Sequence, residues 1–254
     1  MDYKGEEINE EFLKKSVYRM FYEIDKDLEG LEQINQAIGA HIESLSPETR
    51  SEHQKLFLLL REQYGNKDIG LLFIFFLNYM KAKRGEAVVI TPNEPHAYIT
   101  GDLVECMANS DNVVRGGLTP KLKDKDTLYQ MLPYSTMNVE RSPVHGNTLY
   151  SSPGCDVLEY KTGFEEFKVL KIEVKPGQTS GDAQLRFKTF SMAVILSGSG
   201  IINFPGFSPS KEEFNNFKIE ANCAYYILPE VEFNISASSE SSENLVIFIA
   251  TCDI

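Results

Sequence analysis

The four cysteines of this chain, Cys106, Cys155, Cys223 and Cys252, include no CxxC pair, which argues against zinc-ribbon and dithiol redox readings. Basic charge is scarce too. Lys+Arg number 25 against 37 Asp+Glu, giving a formal net charge of −12 and a pI near 4.9. Non-specific nucleic-acid binding needs a basic face, so that class is excluded. An anionic ligand must be drawn by a local basic cluster against the field of the whole chain. Long apolar runs are also missing. The longest, Leu71–Leu77, is far shorter than the ~20 residues of a membrane helix. The N-terminus, MDYKGEEINEEF, is polar and acidic and does not read as a secretory signal. No internal repeat stands out. The expectation is a soluble, cytoplasmic protein with reduced thiols, no membrane partner and no nucleic-acid partner.

The chain has 254 residues, 42% hydrophobic and 24% charged, which suffices for one large domain or two to three small ones with a real core. Residues 1–84 read as helical. Phe12, Leu13, Val17, Met20, Phe21, Ile24 and Leu28 recur at spacings of three and four, one apolar stripe. Ser46-Pro47-Glu48 reads as a cap followed by proline at the first helical position, opening a helix through Gln63. Asp68 is placed to cap a third helix, Ile69–Met80, apolar nearly all round and therefore expected to be buried.

At Lys83-Arg84-Gly85-Glu86 the pattern changes. Ala87–Ile90 is β-rich, punctuated by Pro92, Pro95 and Gly101. Phe167–Val174 alternates as a half-covered strand does. Met192–Leu196 and Gly200–Phe204 flank Ser197-Gly198-Ser199, which reads as a hairpin. Ala224–Leu228, Glu232–Ala237 and Leu245–Ala250 are further short strands, and many short strands point to a sandwich or barrel. Ser135–Gly163 is rich in Ser, Pro, Gly and Asn and reads as a linker or long loop.

The run Gly85–Asp124, GEAVVITPNEPHAYITGDLVECMANSDNVVRGGLTPKLKD, concentrates a histidine, carboxylates, an arginine and a lysine on short strands and turns. Its pieces Asn93-Glu94-Pro95-His96-Ala97-Tyr98, Gly101-Asp102-Leu103-Val104-Glu105-Cys106-Met107-Ala108, Ser110-Asp111-Asn112-Val113-Val114-Arg115 and Gly117-Leu118-Thr119-Pro120-Lys121 closely resemble the central signature of type I mannose-6-phosphate isomerases. Asp68-Ile69-Gly70 and Phe75-Phe76-Leu77-Asn78 resemble the helix that precedes it. The resemblance implies an α+β fold: an N-terminal helical segment (1–84), part of a zinc-bearing cupin jelly roll (85–134), a linker (135–163) and a C-terminal jelly-roll β domain (164–254). It implies interconversion of mannose 6-phosphate and fructose 6-phosphate through an enediol at zinc, a step in carbohydrate metabolism on the route to GDP-mannose.

By the same resemblance His96 is a zinc ligand, Arg115 the catalytic arginine, and Lys121 and Tyr98 substrate-binding residues. A neutral imidazole on a loop bounded by prolines suits zinc. A permanently charged planar guanidinium suits an enediolate oxygen or a phosphate. Glu105 and Asp111 can relay a proton or orient Arg115, though a structural acceptor role fits them as well. Cys106 reads as a small core residue. His41, His53 and His145 read as surface or helix-face residues.

The family's remaining zinc ligands are a glutamine and a histidine two apart and a later glutamate. No Gln-x-His occurs in this chain, and His53-Gln54 is adjacent and in the wrong order. The resemblance therefore implies that the N-terminal part of the catalytic jelly roll is not encoded here. Three readings follow: a fragment of an active isomerase, a subunit completed by a second polypeptide through strand complementation, or an inactive cupin remnant that binds a sugar phosphate or a protein.

Overall fold

The computed structural model describes residues 8–110, 113–135, 143–183, 185–205 and 216–252. The described chain is α+β, and it divides into two compact units, each with its own core.

The first unit takes the described residues of Met1–Lys81, Ile90–Ile99 and Ser110–Ser142. Helix α1, Glu10–Arg19, starts at Asn9, whose side chain accepts from the Phe12 amide, and Glu10 and Glu11 sit in its first turn, where the helix dipole favours them. A π turn, Met20–Ile24, follows directly. Met20 and Phe21 are buried with Val17, as the apolar stripe requires, but Leu28 at the end of that stripe is exposed. Helix α2, Leu28–Ser44, is capped by Asp27. The sequence reading missed it because Asn35 and Gly39 occupy its buried face. Ser46-Pro47-Glu48 opens only a 3-10 turn, Pro47–Thr49. Helix α3, Glu52–Tyr64, begins later, at a capping box formed by Ser51 and Gln54.

The third expected helix shrinks to one turn, α4, Gly70–Phe73. The aromatic and β-branched residues beyond it lose rotamer freedom in a helix. Phe75 and Phe76 are exposed, contrary to the expected burial. A last helix, α5, Lys125–Met131, is capped by Asp124, which accepts from the Thr127 amide. Its Leu128 packs with Phe21 and Leu31.

The second unit takes Ala82–Val89, Thr100–Asn109 and the described residues of Pro143–Ile254. Two short strands, β1 (Glu86–Ala87) and β2 (Val144–His145), pair with each other. The expected linker over 135–163 in fact contains β2, β3 (Asn147–Ser151) and β4 (Cys155–Tyr160). Its turn-forming residues mask the Val157-Leu158 core of a strand that pairs fully with β5 (Lys168–Val174). With β6 (Ser191–Ser197), β9 (Ala224–Ile227) and β11 (Leu245–Thr251) these form a six-stranded sheet, ordered β3-β4-β5-β11-β6-β9. A second sheet runs β10-β7-β8, from Asn234–Ala237, Ser199–Asn203 and Asn216–Glu220. Ile172, Ile195 and Ile247 from the first sheet share one core with Ile202, Ile219 and Ile235 from the second, a jelly-roll sandwich.

Ser197-Gly198-Ser199 is not a hairpin. β6 pairs with β11 and β9, whereas β7 pairs with β10 and β8. The turn carries the chain from one sheet to the other. Gly198 takes φ +76°, and a Cβ there would sit 2.8 Å from the Asn244 carbonyl oxygen.

Among the described residues of 85–134, β1 and α5 are the only strand and helix, so the expected strands of that region are mostly irregular chain. No helix of the described residues is long and apolar enough to cross a membrane.

Candidate functional site

His96 stands on a tight turn. Asn93 adopts a left-handed conformation, φ +65°, and the Glu94 amide donates to the Thr91 carbonyl at 3.3 Å. The Glu94 carboxylate accepts from both the Thr91 amide (3.1 Å) and its hydroxyl (2.9 Å). The loop is stiff for these reasons as well as for its prolines. His96 Nδ1 lies 2.8 Å from the Glu94 carbonyl oxygen. A carbonyl can only accept, so Nδ1 carries the proton, and in the neutral ring Nε2 keeps its lone pair. Metal-binding histidines are commonly set this way, one nitrogen donating to a carbonyl and the other left for the ion. The His96 ring is exposed and lies 5.6 Å from that of Tyr98, itself exposed.

Arg115 is half-buried at the start of a segment held close to the helices. Val114 packs against the core around Phe21. A Cβ at Gly116 would meet Leu128 at 2.5 Å, and one at Gly117 would meet the Gly70 Cα at 2.5 Å. At Gly117 backbone meets backbone, an approach only glycine permits. Leu118 follows with φ +52°, a conformation unusual for a branched side chain. Lys121 is exposed, its amide donating to Thr119 Oγ1 at 3.2 Å.

His96, Tyr98, Arg115 and Lys121 all belong to the first unit. Among the described residues, contacts join His96 to Glu94 and Tyr98, while no hydrogen bond or ion pair ties Arg115 or Lys121 to either ring. Glu105 is exposed, and it and Cys106 fall in the second unit. Cys106 is half-buried and not a core residue, since no strand forms around it, and burial raises its thiol pKa. Asp111 lies outside the described residues. His41, His53 and His145 are exposed, as expected. Sequence reasoning saw Asp68 as a helix cap only. It is buried, and besides Gly70 it binds the amide of Leu118, fifty positions away.

The chain is 34% identical to the mannose-6-phosphate isomerase of Emericella nidulans over 218 residues, 82% of this chain and 46% of that protein. This chain is a homologue of the mannose-6-phosphate isomerases. Its identity to the Cryptococcus neoformans mannose-6-phosphate isomerase is 44% over 151 residues, 58% of this chain and 33% of that one. The fold agrees: a Salmonella typhimurium mannose 6-phosphate isomerase matches 97% of this chain and 55% of its own, with TM-score 0.66 at 20% identity. No protein-family model matches. The chain spans less than half the length of the mannose-6-phosphate isomerases it matches in sequence.

Does the site fit the zinc that the resemblance implies? Among the described residues, no three His, Cys, Asp or Glu side chains gather as a metal site needs. A catalytic zinc takes about three protein ligands. His96 offers a single donor nitrogen, so these residues alone do not fit the ion.

Proposed function

We propose that this chain is one part of a mannose-6-phosphate isomerase, and that His96, Tyr98, Arg115 and Lys121 are its share of the active site. The similarity to the Emericella nidulans isomerase across 82% of the chain carries this reading. The Salmonella relative is described as bound to its substrate and to a zinc atom, which supports a sugar phosphate as substrate and zinc as the metal. His96, with Nε2 free, would be one ligand. The others would come from a complementing polypeptide, because the described residues supply no cluster.

The reaction shifts a proton between adjacent carbons, so negative charge grows on an oxygen as the enediol forms. Arg115 would meet that charge with a fixed cation whose cost of ordering the fold has already met. Lys121, an exposed flexible ammonium, suits the phosphate end, and the Tyr98 ring beside His96 suits the apolar face of the sugar. A metabolic isomerase with its four cysteines unpaired fits a reducing cytoplasm. The competing reading is an inactive cupin remnant that binds a sugar phosphate or a protein, and the missing metal cluster is the observation in its favour.

One experiment separates them. The purified chain with added zinc should show no turnover in a coupled isomerase assay and no stoichiometric metal. Turnover should appear when the portion of the Emericella nidulans enzyme without a counterpart here is supplied as a second polypeptide. Turnover by the chain alone, at ordinary rates of ~1–1000 per second, would refute the partial-site reading. Absence of turnover in a mixture whose two components bind each other would support the inactive remnant.

A further inference from the structure

The segment that carries Arg115 and Lys121 turns at Leu118, between the two, and one buried carboxylate holds that turn. Asp68 is 7% exposed. Its Oδ1 accepts two backbone amides, Gly70 at 2.7 Å and Leu118 at 2.8 Å. Its Oδ2 lies 3.8 Å from the Lys123 ammonium, beyond the other end of the segment. The carboxylate thus meets the turn with one oxygen and a lysine two positions past Lys121 with the other.

Local sequence leaves little else for this task. Leu118 sits in a left-handed conformation that a branched residue keeps only when its surroundings impose it. The Gly70 and Gly117 backbones lie too close for a Cβ between them, so no side chain there can key the turn in place. Hydrogen bonds to an ionised acceptor are about twice as strong as neutral ones, and here two amides share one oxygen. A cap for the one-turn helix α4 would need only the Gly70 bond. The bond to Leu118 does nothing for α4, and it fixes the backbone three residues after Arg115 and three before Lys121.

The geometry points to Asp68 as a positioning residue, acting through Arg115 and Lys121 without itself touching substrate. This rests on the assignment of those two residues proposed above. A displacement of ~1 Å in a positioned group can cost about a hundredfold in rate, so a missing anchor is felt at the reacting atoms.

The test is calorimetric titration of the chain with fructose 6-phosphate, with circular dichroism to confirm folding. Asp68→Ala should weaken binding about tenfold or more. Asp68→Asn keeps an oxygen for both amides and should restore most of it. The triple variant Asp68→Ala/Arg115→Ala/Lys121→Ala should bind no worse than Arg115→Ala/Lys121→Ala, because Asp68 acts through those two residues. A further loss on adding Asp68→Ala to that pair would overturn the inference, as would wild-type binding by a folded Asp68→Ala protein. If the unaltered chain does not bind the sugar phosphate by itself, its incomplete site accounts for that, and Arg115 is tested in the mixture with the complementing portion. The anchor is then read from hydrogen exchange at the Leu118 amide, slow in the unaltered chain and in Asp68→Asn, which folds as an isostere. Fast exchange in both overturns it.

Discussion

Glu173 shows how one residue ties stability to pH. It is half-buried on β5, and burial alone would raise its pKa. The Lys171 ammonium at 2.6 Å, the Asn244 amide at 2.8 Å and the charge of Arg84 outweigh burial and hold the carboxyl below its ordinary 4.5. A group whose folded pKa is depressed contributes stability above its unfolded pKa and loses it as pH falls through the folded value. Glu173→Gln should therefore unfold at lower urea than the unaltered chain at neutral pH, and the gap should shrink as the pH falls below the carboxyl's ordinary 4.5 and close once it passes the lowered folded value. A gap that stays constant from neutral to acid would show that packing, not charge, sets the difference. At this scale the sequence named candidates: His96, Tyr98, Arg115 and Lys121 stand in one run that resembles the isomerase signature, and the roles proposed for them rest on that resemblance. The proton position on His96 and the reach of Asp68 to Leu118 were not legible, because both depend on backbone atoms brought close only by folding.

Among the elements, strands with clear alternation were read well. β5 and β11 lie within two residues of their expected bounds. What failed was pairing. Ser197-Gly198-Ser199 has the composition of a hairpin, yet β6 and β7 belong to different sheets. Composition reports that the chain bends, not which ladder it joins next. Glycine is needed at this corner for two separate reasons, the positive φ and the approach of Asn244 and Leu245. Gly198→Ala should cost at least about 1–3 kcal/mol, more than a surface glycine would, since a left-handed alanine must also push on backbone. Equilibrium urea unfolding measures it. A midpoint unchanged at constant m would mean that the corner relaxes freely. Helix ends failed for a related reason. Ser46-Pro47 and Ser51-Glu52 both resemble helix starts, and only the reciprocal bonds of Ser51 and Gln54 choose between them.

For the whole molecule, the distribution of burial along the chain is the decisive fact. Two cores are built in the first unit and one in the second. Between Ile74 and Leu128, however, no described residue is buried, and in the second unit Leu103, Val104 and Met107 stand exposed. This stretch contains the run that resembles the isomerase signature and the four candidate site residues. Exposed apolar residues usually stand singly, and several close together in one segment mark a surface that something covers. The two homologues are more than twice as long as the region matched here, and the rest of an isomerase is the cover proposed above. Backbone that lacks a packed core opens at little cost and exchanges its amide hydrogens early. Hydrogen exchange read by mass spectrometry should therefore show Val88–Asn109 exchanging within seconds to minutes, while β11 and α3 stay protected far longer. Adding the complementing portion of the Emericella nidulans enzyme should slow exchange in this run and leave β11 unchanged. If the run is already protected in the isolated chain, its exposed side chains do not mark an unfilled surface, and the case for a complementing polypeptide falls with it.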